Sequence, residues 1–134
     1  MARPASPTST ESRRGAGRLV LLLGVFGLVL GVWAGLVRIG WRWPVPVPDL
    51  PALHGPLMVS GFVGTLIGVE RAIGLGRRWA YAAPVLTGVG SLALLVPVAA
   101  PYAPVAVLAG SVVFLAVLAV LAPRMPRAAA GALV

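Results

Sequence analysis

Long uncharged apolar runs, each closed off by arginine, proline or aromatic residues, constrain this chain more than any other feature. Leu19 to Val37 is nineteen residues without a charge, about 28 Å as an α-helix and enough to cross the hydrocarbon core of a bilayer. Apolar segments from Leu53 to Val69, from Ala80 to Val98 and from Val105 to Leu121 follow it. The chain is 59% hydrophobic and 10% charged over 134 residues, more apolar surface than a soluble domain of this size can hide. The pattern predicts an all-α membrane protein with four transmembrane helices in an antiparallel bundle, spanning about 19–37, 53–69, 80–98 and 105–121. A cleaved signal peptide is the rival reading of the first run. That run is longer than a signal core, and no small-x-small cleavage site follows it.

The segments between the runs complete the layout. Residues 1–18 are polar, basic and rich in Pro, Ser and Thr, which predicts a disordered tail. Its Ser12-Arg13-Arg14 lacks the residues that follow the pair in a twin-arginine signal. Pro44, Pro46, Pro48 and Pro51 favour an extended connector. A charged loop, ERAIGLGRR, is expected after the second span, and Pro123 and Pro126 open a short C-terminal tail, 123–134.

The net charge of +8 rests on arginine, with no lysine. The arginines are scattered between apolar segments instead of forming the basic face of a nucleic-acid binder, so no nucleic-acid partner is expected. They set the orientation instead. With the N-terminus inside, Arg3, Arg13, Arg14, Arg18, Arg71, Arg77, Arg78, Arg124 and Arg127 fall on the cytoplasmic side. Arg38 and Arg42 fall outside, a split of nine to two. This is the positive-inside bias, and it predicts a multi-pass protein of the cytoplasmic membrane with both termini cytoplasmic. Trp33, Trp41, Trp43 and Tyr102 then lie near the outer interface, and Trp79 and Tyr81 near the inner one.

Gly27, Gly31 and Gly35 recur at four-residue spacing on the first span, and Gly64 and Gly68 on the second. Such stripes let helix backbones approach closely in lipid, within one bundle or toward a second copy or another membrane subunit. His54, the single histidine, is the one side chain here with an imidazole's affinity for metals. Met58 lies one turn below it, and Gly61, Gly64, Thr65 and Gly68 continue roughly the same face. A histidine above a strip of small residues is the arrangement against which a haem could lie.

The pattern His54-Gly55-x-x-Met58 followed by a small-residue apolar helix resembles the second helix of haem–copper oxidase subunit I and of the NnrS-like multi-span haem proteins. The end of the first run, GVWAGLVRIG, is similar to that family's first helix, so the resemblance covers roughly residues 19–75. It implies that His54 ligates a haem near the outer face, with Arg38 and Arg42 as candidate propionate partners. One histidine cannot support a copper centre or a bis-histidine haem, so oxidase activity is excluded for this chain alone. Met58 approaches from the same side as His54 and cannot oppose it as a second axial ligand.

Three roles remain open on sequence grounds: a haem-associated electron-transfer or sensing subunit, a structural or assembly membrane subunit without its own site, and a small transporter. In all three the partners are the bilayer and, for the first two, other membrane subunits. The transporter reading would rest on Glu70, beside Arg71 at the inner edge of the second span, because the first span has no acid. Thr65, Thr87, Ser60, Ser91 and Ser111 are expected to bond carbonyls of their own helices. No paired carboxylates, nucleophile with base or phosphate-cradling loop is present, so hydrolytic and phosphoryl-transfer chemistry has no support.

Overall fold

The computed structural model describes residues 9–124, and among them every regular element is helical. Residues 1–8 and 125–134, with Arg3 and Arg127 and parts of both predicted tails, lie outside the described residues.

The first helix, Ser9–Arg38, is 30 residues long. It corrects the expectation of a disordered tail up to residue 18. No proline or glycine lies between Ser9 and Arg14, and helix propagates outward from an established segment without a new nucleation step. Its apolar part, Gly17–Arg38, is 22 residues. Beyond Gly40, whose φ of +100° only glycine adopts easily, the proline connector runs back to Leu50.

The second helix, Leu50–Leu75, spans 26 residues and is not uniform. A 3₁₀ turn (Leu50–Leu53) and one α turn (His54–Pro56) lead into a π-helix (Leu57–Gly64), which returns to α-helix at Thr65–Leu75. It therefore extends past the predicted end at Val69. Glu70 and Arg71 lie in its last turns, and only a short link joins it to the next helix. Gly76 stops it with φ +69° and its N–H on the carbonyls of Ala72 and Ile73, a left-handed cap that a Cβ would strain. Gly76→Ala is thus expected to lower stability by about 1 kcal/mol. Gly74→Ala, in open space inside the same helix, should raise it by a similar amount. Thermal unfolding in detergent reads both, and a fall for the two alike would refute this account of the helix end.

The third helix is the short one. A 3₁₀ turn (Arg78–Tyr81) leads into an α-helix of 12 residues, Ala82–Ala93, about 18 Å long. The predicted helix to Val98 is therefore corrected. Pro97 lacks an N–H and disfavours helical Val96, and the chain leaves through turns in which Leu95 N–H bonds Leu92 O and Val96 N–H bonds Ala93 O. Pro84 is tolerated because first-turn amides have no intrahelical partner. The fourth helix, Ala103–Leu121, follows a 3₁₀ turn, and together they give an apolar stretch of 22 residues, Ala100–Leu121. Three helices are therefore long and apolar enough to cross a membrane, which by length and composition marks the chain as a membrane protein.

Close contacts between helices show how they pair. Gly24 faces Thr65, Gly27 faces Gly61, Gly31 faces Met58 and Gly35 faces His54. Positions rise along the first helix as they fall along the second. Gly61 meets Ser91, Gly68 meets Pro84, Gly90 meets Ala106 and Val107, and Gly110 meets Thr87. One end of the group is closed by Ala72, Leu75, Ala80 and Val117 with Tyr81 and Leu121 against them. The other is closed by Ala34, Leu50 and Leu57, under Trp33, Val47, Leu92 and Leu95.

Candidate functional site

His54 opens the short α turn of the second helix. Its half-buried ring lies against the first helix, with Nδ1 2.8 Å from the carbonyl oxygen of Gly31. A carbonyl only accepts, so Nδ1 carries the proton and donates it, and in the neutral ring Nε2 keeps its lone pair. Gly35 makes the seat. A Cβ there would lie 2.8 Å from Nδ1 and 2.9 Å from Cε1, so any other residue would occupy the volume of the imidazole.

One turn on, Met58 fills the notch at Gly31, where a Cβ would lie 2.7 Å from its sulfur. His54 and Met58 therefore both face the first helix, as their spacing implied, and they cannot flank one plane from opposite sides. The strip of small residues below them is already filled. Gly61 packs on Gly27 and Ser91, buried Thr65 sits between Gly24 and Gly88, and Gly68 receives the ring of Pro84. The first and third helices pack along this face. His54 stands at one end of the strip. Arg38, in the last turn of the first helix, and Arg42, in the connector, are both exposed at the same end.

Around them stands an aromatic cluster. Trp33 Nε1 donates to Pro44 O at 3.1 Å, and Trp43 stands edge-on to Trp33 and Trp41 at 5.9 and 5.6 Å between centroids. Indole rings with one apolar face and one N–H suit the level of lipid headgroups. Among the described residues no three His, Cys, Asp or Glu side chains gather into a metal site. Glu70 is exposed at the opposite end of the group, beside half-buried Arg71.

Of the glycines singled out by spacing, Gly27, Gly31, Gly35 and Gly68 are interhelical contacts within this chain. Gly64 is not. A Cβ there would meet only the carbonyl of Val59 in its own helix, at 3.2 Å, and the residue lines a groove of about 200 Å³ with Ser60, Ala83, Thr87, Ser111 and Phe114. The π-helix explains the difference, because its wider turn carries Gly64 off the stripe that α-helical spacing assigns to it. Contacts that spacing missed are Gly24, Gly88, Gly90 and Gly110, and Gly61, placed by spacing on the His54 face, is a further one. Gly88 and Gly90 lie two apart on different faces, and no fixed interval could have picked them out.

The hydroxyls of Thr65, Thr87, Ser91 and Ser111 bond within their own helices. Thr87 Oγ1 donates to Ala83 O at 3.1 Å, Ser91 Oγ to Thr87 O at 2.7 Å and Ser111 Oγ to Val107 O at 2.9 Å. Thr65 Oγ1 reaches back five residues to Ser60 O at 3.3 Å, where the π segment ends. Among the described residues no buried side-chain nitrogen or oxygen lacks a partner.

No curated protein and no solved structure matches the chain. The family model described as a domain of unknown function, DUF8744, matches residues 18–133, nearly all of the sequence, and the chain belongs to that family.

Proposed function

We propose that this protein is a multi-pass subunit of the cytoplasmic membrane, four spans in an antiparallel bundle with both termini cytoplasmic. Its role is structural, in the assembly of a larger membrane complex. The observation that carries this reading is the use made of His54. Its imidazole joins the first two helices through Gly31 O and Gly35, and the small-residue strip beneath it holds the chain's own helices. The third helix counts as a span in this reading because its segment reaches both ends of the group. Tyr81 lies beside Gly17 at one end, and Leu92 and Leu95 pack on Leu50 and Leu57 at the other. The partners are the bilayer and further copies or other membrane subunits. Apolar side chains of the fourth helix such as Val105, Leu108, Val112 and Leu115, each more than half exposed, suit lipid or such a partner.

A second reading is favoured by one specific observation, the 2.8 Å contact of Nδ1 with Gly31 O, which turns Nε2 away from that carbonyl. A backbone carbonyl on Nδ1–H is the usual way a ligating histidine is fixed in tautomer and orientation. In that reading His54 would hold a haem at the outer end, between this chain and another subunit. Arg38 and Arg42 then meet the propionates. The haem would supply electron transfer or sensing, as the likeness to haem–copper oxidase subunit I and NnrS-like proteins implies.

One measurement separates the two. Protein purified from haem-replete cells is expected to be colourless, with His54→Ala changing its stability and nothing in its visible spectrum. A Soret band that vanishes in His54→Ala would replace the structural reading with the haem one.

A further inference from the structure

The end of the molecule remote from His54 gathers arginines from three separate segments. Gly17 lies beside the Tyr81 ring, about 3.8 Å from its hydroxyl as measured from a Cβ built on the glycine. This contact brings Arg18 on the first helix to the level of the link between the second and third helices. That link carries Arg77 and Arg78, both exposed like Arg18, and half-buried Arg71 lies one turn before it, next to buried Ala72. The fold positions them for definite reasons. Gly76, in its left-handed conformation, turns the chain sharply. Arg77 follows in extended backbone and Arg78 opens the 3₁₀ turn, so successive side chains leave the apolar layer formed by Ala72, Leu75, Ala80 and Val117. Exposed Glu70 is the acid beside these four cations. Trp79, 40% exposed and adjacent to Arg78, marks the depth at which an indole sits among headgroups.

We infer that this end is a docking surface for anionic glycerophospholipid, its phosphates held by Arg18, Arg77 and Arg78 with Arg71 behind them. The inference rests on the proposed membrane reading and goes beyond orientation, because it assigns a lipid preference to one end of the molecule. Guanidinium forks match phosphate oxygens two at a time, and they act here at a boundary where water is already thinned. Arginines close to an anionic bilayer surface each strengthen binding by about five-fold.

The test uses the full chain in nanodiscs of mixed phosphatidylcholine and phosphatidylglycerol, with the lipids retained after release identified by native mass spectrometry. Phosphatidylglycerol is expected to be retained in preference. Arg77→Gln with Arg78→Gln should reduce that preference by a factor on the order of 25. Arg38→Gln with Arg42→Gln removes equal charge from the other end and should leave most of it. Equal losses from the two pairs, or no preference in the unaltered protein, would overturn the inference. So would inorganic phosphate displacing the lipid at matched concentration, since the surface would then be a free-anion site. Stable insertion into pure phosphatidylcholine nanodiscs is a separate readout, and it keeps the membrane reading standing if the lipid preference fails.

Discussion

Gly27→Leu is expected to destabilise the packing of the first three helices severely, while Gly64→Leu leaves it nearly unchanged. The two positions look alike in the sequence, small residues on apolar helices at stripe-like spacing, but they meet different things. A Cβ on Gly27 would lie 2.7 Å from the carbonyl carbon of Gly61, 2.9 Å from its oxygen and 3.1 Å from Phe62 N. All three are backbone atoms, so no rotamer change relieves the overlap. Carbon contacts settle near 3.5–4.0 Å, so the helices must part by about 1 Å. That separation also loosens the neighbouring contacts at Gly24, Gly31 and Gly35. Overpacking a core generally costs about 1–3 kcal/mol. A rigid obstacle places this case at or above the top of that range, as a large share of the stability of a small domain. On Gly64 the added side chain enters the groove beside Ile67 and Phe114, and its φ of −61° and ψ of −41° suit any residue. Thermal unfolding in detergent, followed by tryptophan fluorescence, should show a fall of roughly 10 °C or more for Gly27→Leu and a shift of a few degrees for Gly64→Leu. Comparable damage at both sites would mean that the π segment does not displace Gly64 from the interface.

How far the sequence reveals such differences depends on which physical signal each one leaves. The apolar runs show directly, because a span long enough for lipid must be written as consecutive uncharged residues. The apolar part of the first helix and the fourth helix accordingly lie close to where hydropathy puts them. Helix ends are set by local chemistry that hydropathy does not register. Gly76 carries the second helix on to Leu75, and Pro97 ends the third at Ala93 although the residues beyond it are as apolar as those before. The π segment is the least legible element. Nothing in LMVSGFVG announces it, and it decides which of Gly61 and Gly64 faces the first helix. His54 was visible as the one residue with distinctive chemistry. Its partners Gly31 and Gly35 stood out only as members of a packing stripe, because a backbone carbonyl and an absent side chain do not mark a seat for an imidazole.

Gly35→Ala and His54→Ala are expected to be strongly coupled, with the alanine at 35 destabilising only when the imidazole is present. In the unaltered protein the new methyl would stand 2.8 Å from Nδ1 and 2.9 Å from Cε1. The planar ring must tilt away, and the 2.8 Å bond to Gly31 O breaks with it. A hydrogen bond lost to a partly buried carbonyl and a local overlap together amount to about 2–3 kcal/mol. His54→Ala alone removes the same bond and the ring's packing, at a cost of about 1–2 kcal/mol. Once the ring is gone the methyl at position 35 has no clash to meet. It then adds only the helix preference of alanine over glycine, a gain of up to about 1 kcal/mol. The double variant should therefore be no less stable than His54→Ala, giving a coupling of about 2 kcal/mol or more, toward the upper end of values for residues in contact. Unfolding of the four proteins in one detergent closes the cycle. Additive losses would show that the imidazole does not rest on Gly35, and the latch between the first two helices would then have to be sought in Met58 and Gly31. The cycle reads helix packing and leaves the visible spectrum out, so it bears on the seat of the ring whether or not Nε2 holds a haem.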